Sequence, residues 1–203
     1  MRVECYGATR PRDGASNSED AFWIRRPAGD VAALCDGAGP APQCATQVLR
    51  AFTRQVESGT LDLWRFPSWN QWMQGTDAAM ANGPHCTFVG VAVNDARVVG
   101  ASAGDSRAWL VNEHGCRVLN ERASASLGSG QADGVTIHEP IAKGDTILLM
   151  SDGAWTAIPI SALHRLVMAA RLQHLADLPA TLLDAAGRQG RADDMTVVAL
   201  RVT

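Results

Sequence analysis

Asp36, Asp105, Asp152 and the pair Asp193/Asp194 each stand where a short apolar run meets a turn, and Glu19/Asp20 stand just ahead of another such run. Two of these positions are built alike: Val31–Cys35 runs into Asp36-Gly37, and Thr146–Met150 runs into Ser151-Asp152-Gly153. A carboxylate at the end of a buried strand is held rigidly, and a glycine beside it lets backbone carbonyls approach the same ligand. Hard cations such as Mg2+ and Mn2+ take about six oxygen ligands, which carboxylates on strand ends can supply. Two such ions about 3.5–4 Å apart can share a carboxylate and a water, and that water then acts as hydroxide near neutral pH. The chemistry within reach is metal-assisted hydrolysis that needs no nucleophilic side chain. Taken singly, each position reads equally well as a solvated carboxylate in a surface turn.

Other chemistries find less support. The cysteines (Cys5, Cys35, Cys44, Cys86, Cys116) show no CxxC spacing, which argues against a thiolate zinc site and against a disulfide framework. The histidines form no HExxH pattern. A net charge of -3 provides no basic footprint for nucleic acid or an anionic membrane. Residues 1–13 carry Arg2, Arg10 and Arg12 and no apolar stretch, so no secretory leader is expected there. No apolar run approaches the length of a membrane span. With 203 residues and 46% apolar composition, the expectation is one cytoplasmic domain over residues 1–203.

The segments that must position the carboxylates follow from periodicity and turn chemistry. Val3 and Cys5 start an alternating strand that loosens at Gly7. The Gly29-Asp30 turn predicts a hairpin between residues 22–24 and Val31–Cys35. Pro40 and Pro42 open a helix over 43–56, with Val48, Leu49, Phe52 and Val56 on one face, and a second helix covers 69–81. Trp64, Trp69 and Trp72 read as helix packing rather than as a ligand platform. Strands over 87–93, Arg97–Ala103 and 108–111, joined by tight turns, predict a three-stranded antiparallel meander, with a further strand over 115–119. The small, polar stretch 120–134 predicts an exposed loop dispensable for folding. Strands over 135–138 and Thr146–Met150, helices over 160–172 and Leu178–Ala186, and a last strand over 197–202 complete the chain.

In chain order, Asn17-Ser18-Glu19-Asp20-Ala21, Asp36-Gly37-Ala38-Gly39, Gly83-Pro84-His85-Cys86-Thr87, Gly104-Asp105-Ser106-Arg107, Ser151-Asp152-Gly153 and Asp193-Asp194-Met195-Thr196-Val197-Val198 resemble one set of motifs. It is that of the metal-dependent protein phosphatases, the protein phosphatase 2C-like family, in a compact bacterial form. The resemblance implies an α+β fold, a four-layer α-β-β-α sandwich of two antiparallel sheets flanked by helices. It implies two Mn2+ or Mg2+ ions and possible room for a third. By position, Asp36 would bridge both ions, the Gly37 carbonyl would join it, and Asp152 and Asp193 would complete the first ion. Glu19 and Asp20 would hold water on the ions, and Asp105 would serve the third. The implied reaction is attack of a metal-bridged water on phosphoserine or phosphothreonine of a protein, reversing a Ser/Thr kinase.

The chain departs from that pattern in several places. The Gly-Ser-Thr type sequence of the family is replaced by His85-Cys86-Thr87. The family's phosphate-docking Arg falls on Ala15, leaving Arg10 or Arg12 as candidates for the task, and a His of many eukaryotic members falls on Ala38. Asp105 and Asp152 are close in sequence for the family, so 120–134 is what remains of its substrate flap. Two other readings share the motif set: a pseudophosphatase that binds a partner without turnover, and a hydrolase of small phosphoesters.

Overall fold

The computed structural model describes residues 2–38, 43–81, 83–121, 124–172, 174–188 and 190–203. Gly39, Pro40 and Pro42 of the expected helix opening lie outside them. The chain begins with β1 (Val3–Arg10), β2 (Ala21–Ile24), β3 (Val31–Cys35) and the short β4 (Gly37–Ala38). The helices α1 (Cys44–Glu57) and α2 (Phe66–Met80) come next, then β5 (His85–Cys86), β6 (Phe88–Val93), β7 (Arg97–Ala103), β8 (Arg107–Asn112) and β9 (Gly115–Val118). The remainder is β10 (Val135–Pro140), β11 (Thr146–Met150), α3 (Asp152–Trp155), α4 (Ile160–Ala169), α5 (Leu178–Ala186) and β12 (Met195–Val202).

Two five-stranded antiparallel sheets result, ordered β1-β12-β11-β8-β9 and β10-β7-β6-β3-β2. Three apolar layers hold the four layers of structure together. Ala32, Leu34, Val89, Val91, Leu149, Val198 and their neighbours fill the space between the sheets. Phe52, Trp69, Met73 and Phe88 join α1 and α2 to one sheet, and Leu163, Val167, Leu182 and Leu183 join α4 and α5 to the other. Strands buried on both faces read as continuous apolar runs, which is why β3, β6 and β11 were visible in the sequence. Trp69 is fully buried and Phe52 packs against Trp69 and Trp72, as the packing reading of the tryptophans expected.

Three expectations are corrected. The first strand does not loosen at Gly7; it runs to Arg10 because β12 pairs with it rung by rung, from Val3↔Val202 to Arg10↔Met195. The meander breaks at Gly104–Arg107, since β7 pairs with β6 and β10 while β8 pairs with β11 and β9 in the opposite sheet. That turn therefore crosses from one sheet to the other at the end of the sandwich, carrying Asp105 with it. The stretch 120–134 is not a free surface loop. Leu127 is fully buried in the core against α2 and forms a backbone bridge with Cys86. The buried Asp77 carboxylate of α2 accepts hydrogen bonds from the backbone N–H groups of Gly128 (2.7 Å), Gly130 (3.1 Å) and Ala132 (3.1 Å).

Candidate metal centre

Five chain segments deliver carboxylates to one end of the sandwich, the approach to β2 bringing Glu19 and Asp20. β3 ends at Asp36 and β11 ends before Asp152, the first residue of α3; the β7–β8 crossing brings Asp105, and the approach to β12 brings Asp193 and Asp194. Two glycines allow these segments to touch. A Cβ on Gly37 would stand 2.7 Å from the Glu19 carbonyl oxygen, and one on Gly153 would stand 2.2 Å from the Asp194 carbonyl oxygen. Neither distance is tolerable for a side chain, so Gly37 and Gly153 are required by close backbone approach.

Asp36 is placed by hydrogen bonds outside its own carboxylate. Its N–H donates to Thr87 Oγ1 (3.0 Å), its carbonyl accepts from the Thr87 N–H (2.8 Å), and Thr87 Oγ1 is linked to Ser106 Oγ at 2.6 Å. Asn120 in turn donates to Ser102 Oγ and the Ser106 carbonyl, both at 2.9 Å. Beneath Asp36, Cys35, Cys44 and Cys86 are buried. Hydrogen bonding among the thiols, with burial, pushes Cys44 and Cys86 upward, so they remain neutral.

The electrostatics identify the centre of the cluster. Burial first, then the neighbouring Asp20 and Asp152 carboxylates and Asp193, push Asp36 well above the usual carboxylate range. Burial likewise raises Asp20, with Asp194 adding to it, and burial and Asp152 raise Asp105. Both carboxylate oxygens of Asp20 and Oδ1 of Asp152 are buried without a hydrogen-bond partner. The Ser151 and Thr196 hydroxyls lie near Asp20 and partly oppose the raising, but neither reaches it in hydrogen-bonding geometry; Ser151 Oγ accepts from the Thr196 N–H and Thr196 Oγ1 donates to Thr9. Buried acceptors left bare cost free energy, and a divalent cation is the partner that would relieve them and the mutual repulsion at once. Among the described residues no group of three His, Cys, Asp or Glu side chains is already arranged as a metal-ligand set. The fit to a cation rests on the bare oxygens and on the raised carboxylates.

The adjacent pair Asp193/Asp194 divides its work. Asp193 is exposed at the rim, and its Oδ1 accepts from the Asp194 N–H. Asp194, only 2% exposed, accepts from the backbone N–H of Arg12 (2.7 Å) and of Glu19, clasping the first loop to β12. Of the arginines expected near phosphate, Arg10 is drawn away into an ion pair with Asp184 on α5. Arg12 stays nearby but faces Glu19 (3.4 Å) and Asp194 (3.8 Å). The structure thus brings Asp20, Asp36, Asp105, Asp152 and Asp193 together, with Glu19 at the Arg12 side. Sequence reasoning assigned no supporting role to Thr87 or Ser106 and no clasp to Asp194, although all three residues stand in the quoted motifs.

Two hollows lie away from the acidic cluster. A groove of about 910 Å3 runs between α1 and α2 and another of about 460 Å3 is lined by Arg2, Tyr6 and Arg26, but none of the clustered carboxylates Glu19, Asp20, Asp36, Asp105, Asp152 and Asp193 lines either.

Raised carboxylates make a pH prediction. A group that binds its proton more tightly when folded adds stability below its unfolded pKa of about 4, and that contribution is lost as pH rises through the folded value. Metal-free protein is therefore expected to lose melting temperature from mildly acidic pH through neutrality. Cation binding needs the carboxylates ionised, so the gap between Mn2+ and EDTA samples should widen over the same interval. At a hundredfold excess over Kd the ion stabilises by about 2.7 kcal/mol, roughly 5–10 °C for a chain of this length. A gap that is constant with pH would contradict the assignment.

The family model for stage II sporulation protein E (SpoIIE) matches residues 34–203. No curated protein sequence matches the chain. Among solved structures, the catalytic domain of the serine/threonine protein phosphatase PstP, in complex with two manganese ions, is 17% identical and superimposes with a TM-score of 0.81 over 99% of each chain. The S. agalactiae serine/threonine phosphatase is also 17% identical, with a TM-score of 0.86 over 99% of this chain and 100% of that one. The phosphatase Stp1 from Staphylococcus aureus gives 16% identity and a TM-score of 0.80, covering 100% and 96%.

Proposed function

Since the chain belongs to the stage II sporulation protein E family, with the fold of the metal-dependent, protein phosphatase 2C-like enzymes, we propose that it hydrolyses phosphoserine or phosphothreonine on a protein substrate. The observation that carries this reading is the set of raised and partnerless carboxylates gathered at one end of the sandwich. Asp36, Asp152, Asp193 and the Gly37 carbonyl would hold two Mn2+ or Mg2+ ions, Asp105 a third, and Glu19 and Asp20 would orient water around them. When bound, divalent cations supply an activated water at neutral pH and neutralise phosphoryl charge.

The chain's own residues do the rest. Thr87 and Ser106 hold the Asp36 backbone at the start of β6, which fixes the point from which its carboxylate enters the cluster. Asp194 closes the loop bearing Glu19 and Asp20 over the site. The substrate would be the product of a Ser/Thr kinase. No helix among the described residues is long and apolar enough to cross a membrane, and the five cysteines are free thiols, which suits a reducing cytoplasm. Phosphate release from a phosphothreonine peptide is expected with Mn2+ and absent with EDTA. Mn2+ binding without release would indicate a partner-binding pseudophosphatase, and release from an aryl phosphate alone a small-phosphoester hydrolase.

A further inference from the structure

Ala15 leaves the site without a guanidinium at the family position, yet one stands on the other side of the cluster. Arg107 opens β8, and its Cα is paired with that of Met150, two residues before Asp152. Its guanidinium carbon lies over the Trp155 ring, 3.6 Å from the centroid. Trp155 is itself fixed, donating from Nε1 to the Asp105 carbonyl at 3.1 Å. The positive charge is close enough to oppose the raising of Asp105 by its burial and by Asp152. Among the described residues, the guanidinium has no ion-pair or hydrogen-bond acceptor, and it is only half-buried.

This differs from the other two arginines. Arg10 is held by Asp184, and Arg12 faces two carboxylates that pin the first loop. A guanidinium that is oriented by stacking, set beside a cluster of carboxylates and left with free N–H donors is prepared for a planar oxyanion partner. Stacking restricts its rotation without occupying a donor, so little freedom is lost when an anion arrives.

We propose that Arg107, held on Trp155, docks the phosphoryl group of the substrate in place of the arginine absent at position 15. The proposal rests on the phosphatase reading for its substrate, but phosphate binding tests it separately. Two N–H donors of Arg107 would bond to non-bridging phosphoryl oxygens while the acidic cluster holds the cations. The ester bond breaks elsewhere, at the bond to the serine or threonine oxygen, so removal of Arg107 should weaken binding more than turnover.

The experiment compares wild type, Arg107→Ala, Arg107→Lys, Trp155→Ala and Arg12→Ala. Titration calorimetry of inorganic phosphate into the Mn2+-loaded protein reads docking directly. Kinetics on a phosphothreonine peptide and on an aryl phosphate read it in turnover. Arg107→Ala is expected to weaken phosphate binding and raise KM for both substrates tenfold or more, with kcat and Mn2+ affinity changed far less. Arg107→Lys, keeping charge without the fork, should fall between, and Trp155→Ala should weaken phosphate binding through loss of the platform. Unchanged phosphate affinity in folded Arg107→Ala overturns the proposal, as does an effect confined to the peptide or a loss produced by Arg12→Ala instead. Should wild type bind phosphate in an Arg107-dependent way yet release none from any substrate, the phosphatase reading fails and the docking assignment stands.

Discussion

Asp36→Asn is expected to abolish Mn2+ binding and phosphate release in the same variant while raising the melting temperature of the metal-free protein. The two effects have one origin. Burial and three neighbouring carboxylates make the Asp36 charge expensive to keep, and either a proton or a cation offsets that cost. A neutral amide of the same shape removes the repulsion and, with it, the ligand charge. Calorimetry should show Mn2+ affinity falling by orders of magnitude, and thermal denaturation in EDTA should show a gain of a few degrees. Unchanged Mn2+ affinity would make Asp36 a turn residue with no part in the centre. Thr87→Val probes the same carboxylate through its support. Removal of the Oγ1 acceptor frees the Asp36 N–H and should lower metal affinity less than Asp36→Asn does.

Leu127→Ala should cost about 2–5 kcal/mol of stability, because a fully buried leucine leaves a cavity that rigid neighbours cannot close. At this chain length that is on the order of 10 °C in melting temperature. Asp77→Ala should be comparably damaging, since it deprives three backbone N–H groups of one carboxylate at a buried position. Both variants reach the acidic end of the molecule indirectly, through the bridge between Leu127 and Cys86 and the pairing of Cys86 with Gly37. A melting temperature within a degree or two of wild type for both would mean that 124–134 is only laid on the surface.

These two sites also show where sequence reading works and where it stops. Val31–Cys35 and Thr146–Met150 announced themselves because each is buried on both faces, and the Asp-Gly that follows each marks the strand's end. Which sheet a strand joins is another matter. β7 and β8 have the composition of hairpin partners, and only the packing between layers sends them to opposite sheets. Leu127 is a single apolar residue among small polar ones, with no periodicity to betray its burial, and Asp77 looks like any helix carboxylate until its three N–H partners are seen. The Asp193/Asp194 pair was legible as a pair, but alternation at the head of a strand decides which one turns inward. Arg107 stood in a quoted motif, and nothing in the sequence joins it to Trp155.

β12 lies between β1 and β11, so the first strand of the chain finds its partner only in the last. During synthesis at about 5–20 residues per second, β1 waits on the order of ten seconds or more with its apolar face uncovered. The loop carrying Glu19 and Asp20 waits with it, because Asp194, which clasps that loop, is made just ahead of β12. Non-local pairing of this kind is slow to form. A nascent chain halted before Asp193 carries the carboxylates from Glu19 to Asp152 but lacks the Asp194 clasp, so the acidic cluster is completed only at the end of synthesis.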